Sequence, residues 1–220
     1  MDLRRQSKLV DAEKLELLPI LIIGGGSIGS YTTLALTKMG AKKIKVIDFD
    51  KLESQNIPNQ FYKVKDVGKY KVEALEVNIQ ELTGTMIRTK VGKFEDKDIN
   101  FAKDGIVIAA TDNMAARKQL FEVLVKTKVS KRYIDARMAS LSIEIFNIDP
   151  TKKKDQDFYK RKLFDEKDAV HIPCTAKGIV FPVMTCASIV SNAVLNHVMG
   201  HFQQRRFIMD YSKDMFLTEE

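Results

Sequence analysis

Short apolar runs alternate along this chain with stretches whose apolar residues recur at helical spacing. Ile20 to Ile23 is such a run, suited to a strand buried on both faces. Gly24, Gly26 and Gly29 follow at G-x-G-x-x-G spacing, and 30–39 carries Tyr31, Leu34, Ala35 and Met39 at helical intervals before Gly40. Ile44, Val46 and Ile47 predict a second strand that ends at Asp48. The helical pattern resumes through Val72, Leu75, Val77, Ile79 and Leu82, and 86–91 predicts a third strand. A fourth buried strand is predicted over 106–110, followed by Thr111-Asp112-Asn113 and a helix over 114–126. Strands over 132–135 and 141–148 complete the series. Before it, 1–18 is a polar arm with a short helix that offers Leu9, Val10, Leu15, Leu17 and Leu18 for packing.

Beyond Pro150 the pattern weakens. The lysine- and aspartate-rich stretch 151–168 shows little periodicity and predicts a long flexible loop, the main part of a mobile crossover over 151–170. An apolar helix over 182–199 ends at Gly200, and Phe207-Ile208-Met209 predicts an added edge strand. The alternation specifies one α/β domain over 1–220: a doubly wound, mostly parallel Rossmann-like sheet with antiparallel C-terminal strands.

Composition narrows this picture little. The net charge is +7, from 36 Lys and Arg against 29 Asp and Glu, but the basic residues are scattered among acids. A solvated surface is favoured over a nucleic-acid partner. Met1 is not followed by a hydrophobic leader, and the longest apolar stretch is interrupted by Pro182 and several polar residues. The expectation is a soluble, cytoplasmic protein without a membrane partner. Cys174 and Cys186 are the only cysteines, too few for a disulfide framework or a paired zinc motif.

The candidate chemistry gathers at the predicted strand ends. A glycine turn between strand and helix presents free N–H groups to an anion, and an acid about 20 residues further on, here Asp48, is placed to grip a ribose hydroxyl. Asp50, the polar turn with Asn56 and Gln60, and Lys71 would converge on the same crevice. Lys71 could neutralise a phosphate or be an ordinary surface lysine. Asp112 could hold Mg²⁺ against nucleotide phosphates or simply cap the next helix. His197 and His201 lie four apart, but Val198 stands where a zinc protease needs its Glu, so they read as helix-end histidines. Cys186 lies in the apolar helix and reads as core.

In this order and spacing GGGSIGS, IDFD, NIPNQ, DVGKYK and ATDN resemble the ThiF/MoeB superfamily of adenylating enzymes, which are related to the ubiquitin-activating enzymes. The resemblance covers 20–148. It implies use of MgATP and transfer of AMP to the C-terminal carboxylate of a ubiquitin-like (β-grasp) or sulfur-carrier protein. It further implies that Asp48 holds the ribose, and that Asp50, Asn56 and Lys71 line the phosphate path. Gln60 and Asn113 join them in the nucleotide site, and Asp112 is the Mg²⁺ ligand. Members are commonly homodimers in which an N-terminal arginine serves the neighbouring site, and Arg5-Gln6 matches that pair. Asn59 departs from the pattern by standing where the family usually has arginine. The paired Cys-x-x-Cys motifs of many bacterial members are missing, so no structural zinc is expected. Ile172-Pro173-Cys174-Thr175 resembles the setting of the thioester cysteine in ubiquitin-activating enzymes, where His171 and Lys177 could lower the thiol pKa. A small buried cysteine is the equal alternative. A tRNA-modifying dehydratase of the same superfamily, an NAD-dependent dehydrogenase and a non-catalytic scaffold are the rival readings. The dehydrogenase leaves Lys71 and Asp112 unexplained.

Overall fold

The computed structural model describes residues 1–164 and 178–220. Eight strands form one sheet in the order β3-β2-β1-β4-β5-β6-β7-β8. β1 (Ile20–Ile23), β2 (Ile44–Asp48), β3 (Arg88–Val91), β4 (Ile106–Ala109) and β5 (Arg132–Ala139) run parallel. β6 (Ser142–Ile148), β7 (Arg206–Asp210) and β8 (Met215–Glu219) continue the sheet antiparallel. The doubly wound, mostly parallel architecture with antiparallel C-terminal strands is the one the hydrophobic pattern predicted.

Side-chain alternation along the central strands builds two cores. Ile20, Ile22, Val46, Ile106, Ile108 and Ile134 face one side, where α2 (Ser27–Met39), α3 (Lys71–Thr83) and α6 (Val180–Met199) pack, with α1 (Ala12–Leu17) adding Leu15. Leu21, Ile23, Val107, Ala109 and Tyr133 face the other, against α4 (Met114–Thr127) and α5 (Lys153–Lys160). Four-residue strands that are apolar throughout therefore serve both faces at once, the expected signature of a buried parallel sheet. By length and apolarity α6 would span a bilayer, yet its Val183, Cys186, Val190 and Val194 are buried in the first core.

Several expectations need correction. Within 151–168 the chain forms α5, because Asp155, Gln156, Phe158 and Tyr159 make a buried i, i+3, i+4 face while the lysines point outward. The aromatic pair, diluted by charge, is what anchors it. Residues 165–168 of that stretch lie outside the described residues. Val77 and Leu82, read as part of the buried face of α3, are about half exposed, at 49% and 50%. β5 runs on to Ala139, beyond the predicted end at Asp135. The Phe207-Ile208-Met209 strand is flanked on both sides, and β8 forms the edge instead. β8 escaped notice because all but its first residue are exposed, so it lacks an apolar alternation.

Candidate nucleotide site

The sheet order reverses direction at β1, whose neighbours β2 and β4 lead to opposite edges. The crevice at the carboxyl ends of β1 and β4 is therefore the switch point at which ligands bind in such sheets. Two glycines shape it by steric necessity. Gly24 has φ +102°, and a Cβ there would lie 2.4 Å from the Ala110 carbonyl oxygen; a Cβ at Gly29 would lie 1.9 Å from the Gly24 oxygen. Strand β4, the turn and α2 are packed backbone to backbone. Gly26 is different: a Cβ there would meet nothing within 4 Å. It is the N-cap of α2 without a side-chain cap, so open space faces an uncapped helix start. That is a cradle for an anion.

Asp48 closes the turn from the end of β2. One carboxylate oxygen accepts from the Gly25 N–H at 2.6 Å and the other from the Asp50 N–H at 2.7 Å. Burial raises its pKa against the opposing pull of these donors and of Lys71. The carboxylate thus retains acceptor capacity in a desolvated place, which suits a ribose hydroxyl. Tyr62, not singled out from the sequence, donates its hydroxyl to the Gly25 carbonyl at 2.5 Å and clamps the turn from behind. Its position two residues past Gln60 was the available signal.

Lys71 opens α3 and is only 8% exposed, so it is no ordinary surface lysine. Its Nζ donates to Asp50 Oδ2 at 2.6 Å, and its backbone N–H donates to the Asp50 carbonyl at 2.9 Å. Asp50 itself is exposed. A buried ammonium is thereby aimed by one exposed carboxylate at the crevice. Asn56 spends its side-chain oxygen on the Glu53 N–H at 2.9 Å, shaping the polar turn. Gln60 is 8% exposed, and its Oε1 is buried without a hydrogen-bond partner. Asn59 donates to the Gly178 carbonyl at 3.2 Å and leaves its own Oδ1 buried and unpartnered. It joins the turn to the start of α6 where the resemblance would place an arginine.

Across the crevice, Asp112 is exposed just past β4. The helix cap is its neighbour: Asn113 Oδ1 accepts from the Ala116 N–H at 3.0 Å. Among the described residues Asp112 is therefore left without a competing role. Among the described residues no three His, Cys, Asp or Glu side chains cluster for a metal. A Mg²⁺ at Asp112 would take this one carboxylate and draw its remaining ligands from phosphate and water, a habit of that ion.

One candidate lies elsewhere. Arg5 is exposed in a 3₁₀ turn, and the adjacent Gln6 donates to the Lys38 carbonyl at 2.9 Å, at the far end of α2. With 13 residues in α2, Arg5 stands about 20 Å from the glycine turn of its own chain. Cys174, with His171, Pro173 and Lys177, lies outside the described residues. Cys186 is buried in α6, and burial pushes its thiol up to about 12. His197 is partly buried, with its pKa lowered chiefly by burial, and His201 is exposed at the helix end.

A charge network behind the crevice was invisible in the sequence. Asp135, fully buried on β5 opposite Ala109, accepts from Arg117 Nε, Arg137 Nε and the Tyr159 hydroxyl, each at 2.7 Å. Burial acts to raise its pKa, but the two guanidiniums more than offset that and hold it below the usual value. The network locks α4 and α5 to β5, and so fixes the helix that Asn113 caps.

The glycine cradle, the terminal acid of β2 and the buried lysine meet at the switch point of a doubly wound α/β fold with an antiparallel extension. A profile described as ThiF family matches residues 3–217, and the chain belongs to that family. It is 36% identical over 104 residues to the NEDD8-activating enzyme E1 catalytic subunit of Arabidopsis thaliana, covering 46% of this chain and 23% of that protein. It is 28% identical over 132 residues to ubiquitin-like modifier-activating enzyme 5 of Rattus norvegicus, covering 53% and 33% respectively. The aligned regions thus span a quarter to a third of those two relatives. Among solved structures, E. coli MccB with AMPCPP and MccA superposes with TM-score 0.76 at 18% identity over 95% of this chain and 65% of that one. PaaA superposes with TM-score 0.74 at 20% identity over 95% and 74%. At such identities the likeness is one of fold.

Proposed function

We propose that this protein is a MgATP-dependent adenylyltransferase that activates the C-terminal carboxylate of a ubiquitin-like or sulfur-carrier protein. The observation that carries the reading is Lys71, a buried ammonium held by Asp50 beside an uncapped glycine turn. The dehydrogenase reading assigns this lysine no role. A triphosphate whose α-phosphorus is attacked by a carboxylate brings like charges together, and a desolvated lysine offsets them. In this reading Asp48 receives the ribose, the N-terminus of α2 receives phosphate, and Gln60 offers its unpartnered oxygen to a donor on the nucleotide. A magnesium ion at Asp112 supplies charge neutralisation on the phosphates. The acceptor oxygen forms the new bond to the α-phosphorus as the bond to pyrophosphate breaks.

The relatives' names support a protein substrate, and MccB, solved with AMPCPP and MccA, supports nucleotide and peptide at one fold. In our reading residues 1–220 act as one adenylation unit in the cytoplasm, as a homodimer. The distance of Arg5 from its own turn favours service to a neighbouring chain's site through the arm 1–18. The Cys174 thiolate then attacks the adenylate's carbonyl, forming a thioester as the acyl–phosphate bond breaks and AMP leaves. Thermal unfolding with MgATP, with ATP plus chelator and with NAD tests the core of this. A magnesium-dependent rise of the midpoint, lost in Lys71→Ala, is expected; a rise with NAD alone would overturn it.

A further inference from the structure

The geometry points to a second ligand site, a cleft at the amino-terminal end of β5 that binds the phosphate-type oxyanion of a small phosphorylated ligand. The cleft, of about 390 Å³, is lined by Arg132, Lys152, Lys154, His201 and Arg205. Arg132 is the first residue of β5, in register with Ile106 and Ile20 at the amino ends of β4 and β1. The cleft therefore lies at the pole of the sheet opposite the glycine turn.

Three observations point to an anion. First, Arg132 makes no side-chain hydrogen bond or ion pair among the described residues, and its Nε is buried without a partner. Burial lowers its pKa although Asp149 and Asp155 oppose this, so it is a cation short of compensation. Secondly, those two acids spend their acceptors on groups other than the Arg132 guanidinium, Asp149 Oδ2 lying 3.6 Å from Lys152 Nζ. Asp155 Oδ2 accepts from the Asp149 N–H at 2.8 Å, and Asp149 Oδ1 accepts from Thr151 N–H at 3.0 Å and its hydroxyl at 2.6 Å. Asp155 Oδ1 is 4.0 Å from Arg205, which also donates to the Glu220 carbonyl. Glu220 is the other acid in the lining. Thirdly, α5 begins at this cleft with Lys152 as an uncapped N-cap, and Lys153 and Lys154 precede the single acid Asp155 in its first turn. Cations at the positive end of a helix are electrostatically misplaced. An oxyanion there would meet the free N–H groups, Lys154 and the Arg132 guanidinium together, and would share Lys152 with Asp149.

The test uses the full chain carrying Lys71→Ala, which removes the cation of the nucleotide site, and two probes at constant ionic strength. Orthophosphate is titrated calorimetrically, and a short 5′-phosphorylated oligoribonucleotide and its dephosphorylated counterpart by fluorescence polarisation. Saturable binding of orthophosphate, weakened at least tenfold by Lys152→Gln with Lys154→Gln, establishes the site with a free small phosphate. Binding of the oligonucleotide only when 5′-phosphorylated, and lost in the same variant, assigns the phosphate to a nucleic-acid terminus. Absence of saturable binding to either, or binding that ignores the lysine pair, overturns the proposal. Arg132→Gln should abolish binding; because Arg132 begins a core strand, the two exposed lysines decide the matter if that variant does not fold. Since Lys152→Gln with Lys154→Gln leaves the glycine cradle intact, binding lost in that variant is independent of the adenylation reading.

Discussion

Asp48 and Asp135 end up near the same edge of the sheet, yet they are held in opposite ways. Asp48 meets two backbone N–H groups and has its pKa raised, chiefly by burial. Asp135 is more deeply buried, but two guanidiniums and a tyrosine hydroxyl saturate it and its pKa is lowered. The difference separates a group kept available from a group kept satisfied. A carboxylate with spare lone pairs in a desolvated place is poised for a ligand, whereas one enclosed by arginines has no capacity left and works as a fastener.

The most damaging way to break this comparison is at the fastener. Asp135→Ala leaves Arg117 and Arg137 buried without their common partner, and should cost about 3–5 kcal/mol of stability. Urea unfolding followed by circular dichroism reads this directly, and a loss below about 1 kcal/mol would mean that solvent reaches the network. Lys71→Ala should act on the other side of the contrast. Its loss should fall mainly on the reaction, about 10²–10³-fold in ATP–pyrophosphate exchange with the acceptor protein, if its effect is like that of removing one preorganised donor. Equal loss of exchange and of fold would return Lys71 to a structural role.

A third carboxylate sharpens the rule by pH. Asp98 lies between Lys45 at 2.8 Å and Lys90 at 2.6 Å. Burial works to raise its pKa, but hydrogen bonds from both lysines bring it down from 3.8 to about 2. Because the folded value is depressed, the stabilisation is complete above about pH 4 and disappears as pH falls through about 2. It amounts to about 2 kcal/mol. Unfolding free energies of wild type and Asp98→Asn should differ by about that much at pH 6 and converge near pH 2; parallel curves would exclude the linkage.

How much of this the sequence disclosed follows from how each feature is encoded. The cradle was legible because its demands are local: a four-residue apolar run, glycines at fixed spacing and an acid at the end of the next strand. Its second wall was legible in Lys71 and Asp112, which lie just past predicted strands or turns. The Asp135 network was not, since its four members come from β5, α4 and α5, and nothing in sequence spacing reveals that they converge. Tyr62 was missed for the same reason: its contact with Gly25 spans 37 positions. α5 was read as a loop because its buried face contains Asp155 and Gln156, polar residues paired with backbone groups of the preceding turn. A hydropathy pattern counts such residues as exposed.

The smallest effect separates two neighbouring residues that the sequence could not distinguish. Asn113 accepts from the Ala116 N–H and caps α4, while Asp112 beside it is exposed. Asn113→Ala should therefore cost about 1 kcal/mol of stability, the usual worth of a cap. Asp112→Ala should change stability by less than about 0.5 kcal/mol, as an exposed substitution does. Binding should invert that order, because removing Asp112 takes away the carboxylate proposed to hold the metal, whereas removing the cap leaves it in place. The magnesium-dependent part of the thermal shift with ATP should vanish in Asp112→Ala and persist in Asn113→Ala. If Asp112→Ala keeps that shift intact, a carboxylate free at the strand edge is not the metal's anchor, and the charge on the phosphates must be offset by Lys71 and the start of α2 alone.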